Sequence, residues 1–368
     1  MLTLTLISAA LSGELADISD STELGSDTEL SLHILPTRGD GIINGESAAE
    51  DDYPMTGGML MRATIEIWGS TSPISTFVCS STLIAPDTVL IAAHCLDDYA
   101  FTYGMGEVYD KELQWTRQAD LTSWDGTGAN PDWPADAIEV IDYAMHEGFD
   151  LTSMQVGIAE NDDIALLFLA EAVTDIEPAY LPTADEATQL SEDLDVTVVG
   201  WGQQVATGFF ETPESGTYAI KMMGSSHIAQ LGDYELQIGE AESDVRKCHG
   251  DSGGPTFLDI ETDTAESMRL IGVTSHAYDE TDCNSTGGVD TRVDAYLDWI
   301  NDEMVARCQD GTRVWCETEG ILEVPLPAEL VDSGEGEDGK RSGCSTVGLL
   351  PGMATALLPM LLVFRRRR

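Results

Sequence analysis

Between Ile42 and about Arg307 the chain runs as short β-type segments separated by Gly, Pro and Asp turns, and that rhythm admits few architectures. Thr76 to Leu83 and Thr88 to Ala93 flank a turn at Ala85-Pro86-Asp87, which reads as a hairpin. Ile164 to Leu169, Val196 to Val199 and Leu270 to Thr274 are further apolar runs rich in β-forming residues. One helix stands apart near the end, where Val293, Tyr296, Leu297, Ile300 and Met304 recur at helical spacing. Many strands followed by one helix predict an all-β, antiparallel architecture, barrel or sandwich. A hydrophobic share of 42% over 368 residues suffices for a real core and excludes wholesale disorder.

The charge narrows the partners. Against 66 Asp and Glu stand 17 Lys and Arg, for a net charge of −49. Nucleic acid is a poor match, because phosphate binding needs a basic footprint. Such acidity favours a soluble, self-repelling particle in salty or extracellular surroundings. Seven cysteines are an odd number, so at least one stays free, is modified, or bonds to another chain. There is no CxxC and no HExxH. The acidic, Trp-containing stretch from Trp115 to Asp136 lacks the ordered ligand spacing of a calcium loop and reads as a solvated loop.

Both ends carry signals of export. Residues 1–13 hold an apolar run from Leu2 to Leu11 followed by small residues, like the core of a secretory signal without its basic start. Residues 14–41 are acidic and rich in Ser and Thr, as expected of a flexible leader or pro-segment. Residues 308–343 read as a Cys-containing and acidic linker, and residues 344–368 as a sorting or transmembrane tail. That tail is Cys344, an uncharged stretch from Ser345 to Phe364, and four terminal arginines. Twenty uncharged residues suffice to cross a bilayer of roughly 30 Å, and the arginines would stay on the cytoplasmic side. The pattern resembles the C-terminal sorting tails of Gram-negative surface proteins, including the Cys-containing tails of myxobacterial ones. That resemblance makes Cys344 the processing or lipid-attachment point and implies sorting or anchoring machinery as a partner.

The sharpest chemical signal is Cys248-His249-Gly250-Asp251-Ser252-Gly253-Gly254-Pro255. A serine is a weak nucleophile unless a base takes its proton and donors stabilise the oxyanion. Glycines around Ser252 allow a tight turn in which backbone N–H groups point at one spot. A base is available at His94, in Ile91-Ala92-Ala93-His94-Cys95, and a carboxylate at Asp163, at the start of the run Ile164-Ala165-Leu166-Leu167. Buried against an imidazole, such a carboxylate fixes its tautomer and stabilises the imidazolium.

Together these segments resemble the trypsin/chymotrypsin family of serine proteases, whose His…Asp…Ser order they share. Ile42-Ile43-Asn44-Gly45, Gly200-Trp201-Gly202, Gly288-Val289-Asp290-Thr291-Arg292-Val293 and Tyr296-Leu297-Asp298-Trp299-Ile300 also fit, so the likeness spans residues 42–307. The resemblance implies two antiparallel six-stranded β-barrels, split near Glu171, with a C-terminal helix. It implies Ser252 as nucleophile, His94 as general base then acid, Asp163 as its orienter, and the Gly250 and Ser252 amides as the oxyanion hole. It implies disulfides Cys79–Cys95, Cys248–Cys283 and Cys308–Cys316, leaving Cys344 over, and bridges imply an oxidising compartment. No cofactor and no metal are implied. The partners are polypeptide substrates and an activating protease. His249 suits the rim of the substrate cleft, whereas His146 lies in what reads as an insertion, from about Glu107 to Gln155.

Two departures leave alternatives open. Activation in the family frees an ammonium at the position of Ile42, which inserts and pairs with Asp251, yet the preceding residues here are Arg38-Gly39-Asp40-Gly41. Either another protease cuts after Gly41, or trimming follows a cut after Arg38, or the chain stays a zymogen. The pocket floor falls at Arg246, six residues before Ser252, so a preference for Lys or Arg is not expected. A free Arg246 would accept Glu or Asp side chains, with His276 as a further donor. Alternatively Asp290 neutralises Arg246, or Arg246 is structural. The competing reading of the whole chain is a catalytically silent, surface-displayed binding protein on the protease scaffold.

Overall fold

Short strands leave unpaired edges unless the sheet closes on itself, and this chain closes two sheets. The computed structural model describes residues 42–126, 130–204, 217–279 and 286–328. The first barrel comprises β2 (Thr56–Ile67), β3 (Ser70–Ala85), β4 (Thr88–Ile91), β5 (Gly106–Thr116), β6 (Ile138–Met145) and β7 (Ala165–Leu169), closed in the order β2-β3-β4-β7-β6-β5. The second comprises β8 (Asp195–Gly200), β9 (Met222–Leu231), β10 (Glu235–Ile238), β11 (Pro255–Asp259), β12 (Met268–Ala277) and β13 (Gly288–Arg292). Its ring closes because β8 pairs with both β9 and β11, and the two-residue β1 (Glu46–Ser47) adds to β9. Every pairing is antiparallel, as short turns between neighbours require.

The strand patterns explain their places. The run Ala165-Leu-Leu-Phe-Leu169 is buried throughout because β7 faces the barrel interior on one side and is covered on the other. The cover includes Arg307, whose guanidinium lies 4.5 Å from the Phe168 ring, on the terminal helix α2 (Leu297–Asp310; α1 is the short Asp98–Thr102). Ile300 and Met304 of α2 join the same buried cluster as β7. Long β2 and β3 bend around the barrel with register shifts at Met59/Leu60 and, against β5, at Arg62/Thr64, as bulges allow.

Two expectations fail here. The stretch from Glu107 to Gln155 is no insertion, because β5 and β6 within it are barrel strands, β5 pairing with β2 and β6 with β7. The stretch from Trp115 to Asp136 is no solvated loop. Trp115, Leu121 and Trp124 are fully buried, and Trp133 stacks on Trp124 beneath the Arg62 guanidinium. Its carboxylate Asp136 accepts from Thr116 Oγ1 and the Arg117 amide, so the acid is spent on the fold.

The packed chain continues past α2. Arg313 and Asp87, both fully buried, form an ion pair at 2.7 Å, and Asp87 also accepts from the Trp315 amide. This ties the post-helical segment to the β3–β4 turn, and the compact unit extends to Pro325. A second unit begins at Leu326, of which residues 326–328 are described. Among the described residues no helix is long and apolar enough to cross a membrane. Residues 1–41, Cys283 and the tail with Cys344 lie outside the described residues.

Candidate active site

His94 sits in a 3-10 turn, Ala93–Cys95, directly after β4. The Cys79–Cys95 disulfide fastens that turn to β3, and a 16-residue separation corresponds to about 3 kcal/mol on a chain-entropy estimate. The second expected bridge, Cys308–Cys316, is also formed. Cys248 is disulfide-bonded as well, while its expected partner Cys283 lies outside the described residues.

Asp163 is fully buried at the start of β7 and takes hydrogen bonds from three elements. Its Oδ1 accepts from the His94 backbone amide at 2.9 Å and its Oδ2 meets His94 Nδ1 at 2.7 Å. The Ser275 hydroxyl of β12 donates to the same Oδ2, and Thr291 Oγ1 of β13 donates to the Asp163 carbonyl at 2.9 Å. Two of these partners come from the second barrel, so the carboxylate stands where the barrels meet. Neither Ser275 nor Thr291 was singled out by the sequence, where each is one polar residue in a β-run. Asp162 beside it adopts a left-handed conformation (φ 53°) and accepts from Tyr296 Oη, bracing the turn against the terminal helix.

The electrostatics follow from this burial. Desolvation alone would lower the His94 pKa, but the charge and hydrogen bond of Asp163, with Asp97 adding, hold it above the ordinary 6.5. Burial would raise Asp163, yet His94, the Ser275 hydroxyl and the His94 amide carry it below the usual carboxylate value. Because an ionised carboxylate only accepts, Nδ1 carries the His94 proton and Nε2 is left with its lone pair. Nε2 lies 3.8 Å from the Cys95 sulfur.

Ser252 lies in the turn before β11, and that turn packs against the segment carrying His94. A Cβ on Gly253 (φ 76°) would fall 2.4 Å from the Ser80 carbonyl and 2.5 Å from Ile91 Cγ1, so only glycine permits the approach. The Gly253 amide donates to Thr274 and the Thr274 amide to Gly254, fastening the turn to β12. Ser80 reaches from the first barrel to the Gly250 carbonyl through its hydroxyl, at 2.8 Å.

Ser252 lines a cavity of about 30 Å³ with Lys247–His249 on one side and Thr274–Ala277 on the other. The expected rim residue His249 and wall residue His276 both line it. Arg246 and Asp290 do not, and Asp290 does not neutralise Arg246. Its carboxylate binds Lys247 Nζ at 2.5 Å instead, with both side chains fully buried. The backbone explains the one-residue shift: Arg246 pairs with Ile43 in an isolated bridge, and its guanidinium donates to the Glu242 carbonyl at 3.2 Å. Nor is His276 a spare donor. Its Nε2 meets the Gly157 carbonyl at 3.1 Å, and burial holds its pKa below the ordinary value.

Ile42 is fully buried among second-barrel residues, including Val198 and Leu236. Asp251 is equally buried, accepting from the Cys248 amide at 3.0 Å and the Gly202 amide at 3.3 Å. A Cβ on Gly200 would fall 1.9 Å from Asp251 Oδ1, which accounts for the glycine at that position. Burial raises the Asp251 pKa well above the ordinary value despite these donors and Lys247, marking a carboxyl that lacks full compensation.

A family model described as Trypsin matches residues 42–300, more than half of the chain. The chain belongs to the trypsin family of serine proteases. As such it is a serine-type endopeptidase. Similar proteins include phenoloxidase-activating factor 3 of Holotrichia diomphalia, 27% identical over 70% of this chain and 71% of that protein. CLIP domain-containing serine protease B10 of Anopheles gambiae is 30% identical over 72% of this chain and 70% of its own. A trypsin of Phaedon cochleariae is 28% identical over 61% and 78%. Two barrels and the terminal helix are the fold this trypsin-family chain was expected to adopt.

Proposed function

We propose that the protein is a secreted or surface-anchored serine endopeptidase that works through His94, Asp163 and Ser252. The observation that carries this reading is the buried Asp163 carboxylate on His94 Nδ1 at 2.7 Å, with Ser275 linking it to the wall of the cavity that Ser252 lines. With Nδ1 protonated, Nε2 takes the Ser252 proton as Oγ bonds to the peptide carbonyl carbon. The Gly250 and Ser252 amides stabilise the resulting oxyanion. His94 then gives the proton to the departing amine, leaving an acyl-enzyme on Ser252. Water, deprotonated by His94, attacks the ester, and His94 returns that proton to Ser252 Oγ as the acid is released.

Activation follows cleavage before Ile42 by another protease. The cut converts the Ile42 amide into an ammonium, the cation that a buried, undercompensated Asp251 lacks. Burial of Ile42 and the bridge from Ile43 to Arg246, five residues before Asp251, support this pairing. Disulfides within the domain favour an oxidising compartment, in line with export and a C-terminal sorting tail processed at Cys344.

A fluorophosphonate probe, which reacts with activated serines, tests the reading on a form beginning at Ile42, on the full chain, and on Ser252→Ala in the Ile42 form. Labelling of the Ile42 form alone is expected. No labelling of a folded Ile42 form would replace the enzyme with a scaffold binding protein.

A further inference from the structure

The cavity beside Ser252 has a floor and a size that together limit its occupant. An occupant there lies beside Ser252, and we take it to be the side chain preceding the scissile bond. With about 10–15 Å³ needed per water, a cavity of about 30 Å³ holds two or three waters. That space favours a side chain of one to three heavy atoms over the longer ones of Arg, Phe and Glu. Ala277, with its methyl group, is part of the wall.

Charge selects in the same direction. Lys247 Nζ binds Asp290 Oδ2 at 2.5 Å and Thr256 Oγ1 at 2.6 Å, and the Thr256 hydroxyl also bonds that carboxylate oxygen. Lys247 and Asp290 are fully buried, so they form a neutral, closed unit beneath the cavity. An acidic occupant would have to draw Lys247 away from Asp290. That would strand a buried carboxylate whose Oδ1 already has no hydrogen-bond partner among the described residues. A basic occupant would meet a wall containing Lys247 while the nearby carboxylate is already taken. His276 spends its Nε2 proton on Gly157 and so has none to offer an acidic occupant.

We infer that the buried Lys247–Asp290 pair is the specificity determinant and that the enzyme cleaves after small uncharged residues such as Ala, Ser and Thr. This rests on Ser252 being the nucleophile. The test uses the form beginning at Ile42, first titrated with the fluorophosphonate to count active sites. Peptides varied at the residue before the scissile bond are then compared by kcat/KM per titrated site. Ala, Ser or Thr should exceed Glu, Arg and Phe by about 100-fold, the scale of pocket discrimination. A profile led by Glu or Asp, by Lys or Arg, or by Phe or Leu overturns this inference alone. Failure to titrate overturns the nucleophile assignment and this inference with it. Lys247→Ser combined with Asp290→Ser removes both charges together and enlarges the cavity. Its preference should move toward Leu and Met, and an unchanged profile would show that the pair does not set the specificity.

Discussion

At the scale of single residues, Asp163 is the group on which most depends. It holds His94 by backbone and side chain at once, so its loss changes both the position and the tautomer of the imidazole. Asp163→Asn should keep the fold and lower kcat by about four orders of magnitude, read with a peptide ester or amide substrate. Because the base must be neutral, kcat/KM of the wild type should fall as pH drops through the His94 pKa, with a midpoint above 6.5. The same ion pair stabilises the fold below pH 6.5, and that contribution is lost as pH rises through the raised value. A pH–rate profile with its acid limb below 6.5 would contradict this. His94, Asp163 and Ser252 stand out in the sequence because each lies in a distinctive local string, and the structure pairs the first two. Ser275, Thr291 and the Lys247–Asp290 pair were not, since their partners are chosen by barrel closure rather than by neighbours along the chain. Arg246 illustrates the limit: counting back from Ser252 gave the right segment, but the bridge to Ile43 sends Lys247 to the cavity instead.

At the scale of elements, the apolar strands were visible and the polar ones were not. β7 is apolar at all five positions and was anticipated within one residue. β6 alternates half-buried and exposed residues, and β5 carries Glu107, Asp110, Lys111 and Glu112, so neither advertises itself by hydrophobicity. Their role comes from pairing, which links β2 to β7 through them and closes the first barrel. The segment after α2 was likewise undervalued as linker, because one buried arginine among acidic residues gives no periodic signal. Arg313→Ala leaves Asp87 as an uncompensated buried charge and should cost about 3–5 kcal/mol in urea unfolding. A loss below 1 kcal/mol would mean that the post-helical segment does not brace the β3–β4 turn.

At the scale of the whole molecule, the net charge of −49 opposes compaction. Adding salt from about 0.01 M to about 1 M shortens the screening length from about 30 to about 3 Å, so Tm should rise across that range. A falling Tm would show that buried and surface ion pairs outweigh self-repulsion. The two barrels come together around Asp163, which draws its partners from both, so stability and the proposed catalysis share one junction. The most direct measurement is peptide mapping by mass spectrometry of the Ile42 form after fluorophosphonate labelling, alongside His94→Ala. The account predicts a single adduct on Ser252, formed rapidly in the wild type and not in His94→Ala. An adduct on another residue, or equal labelling without His94, would contradict it.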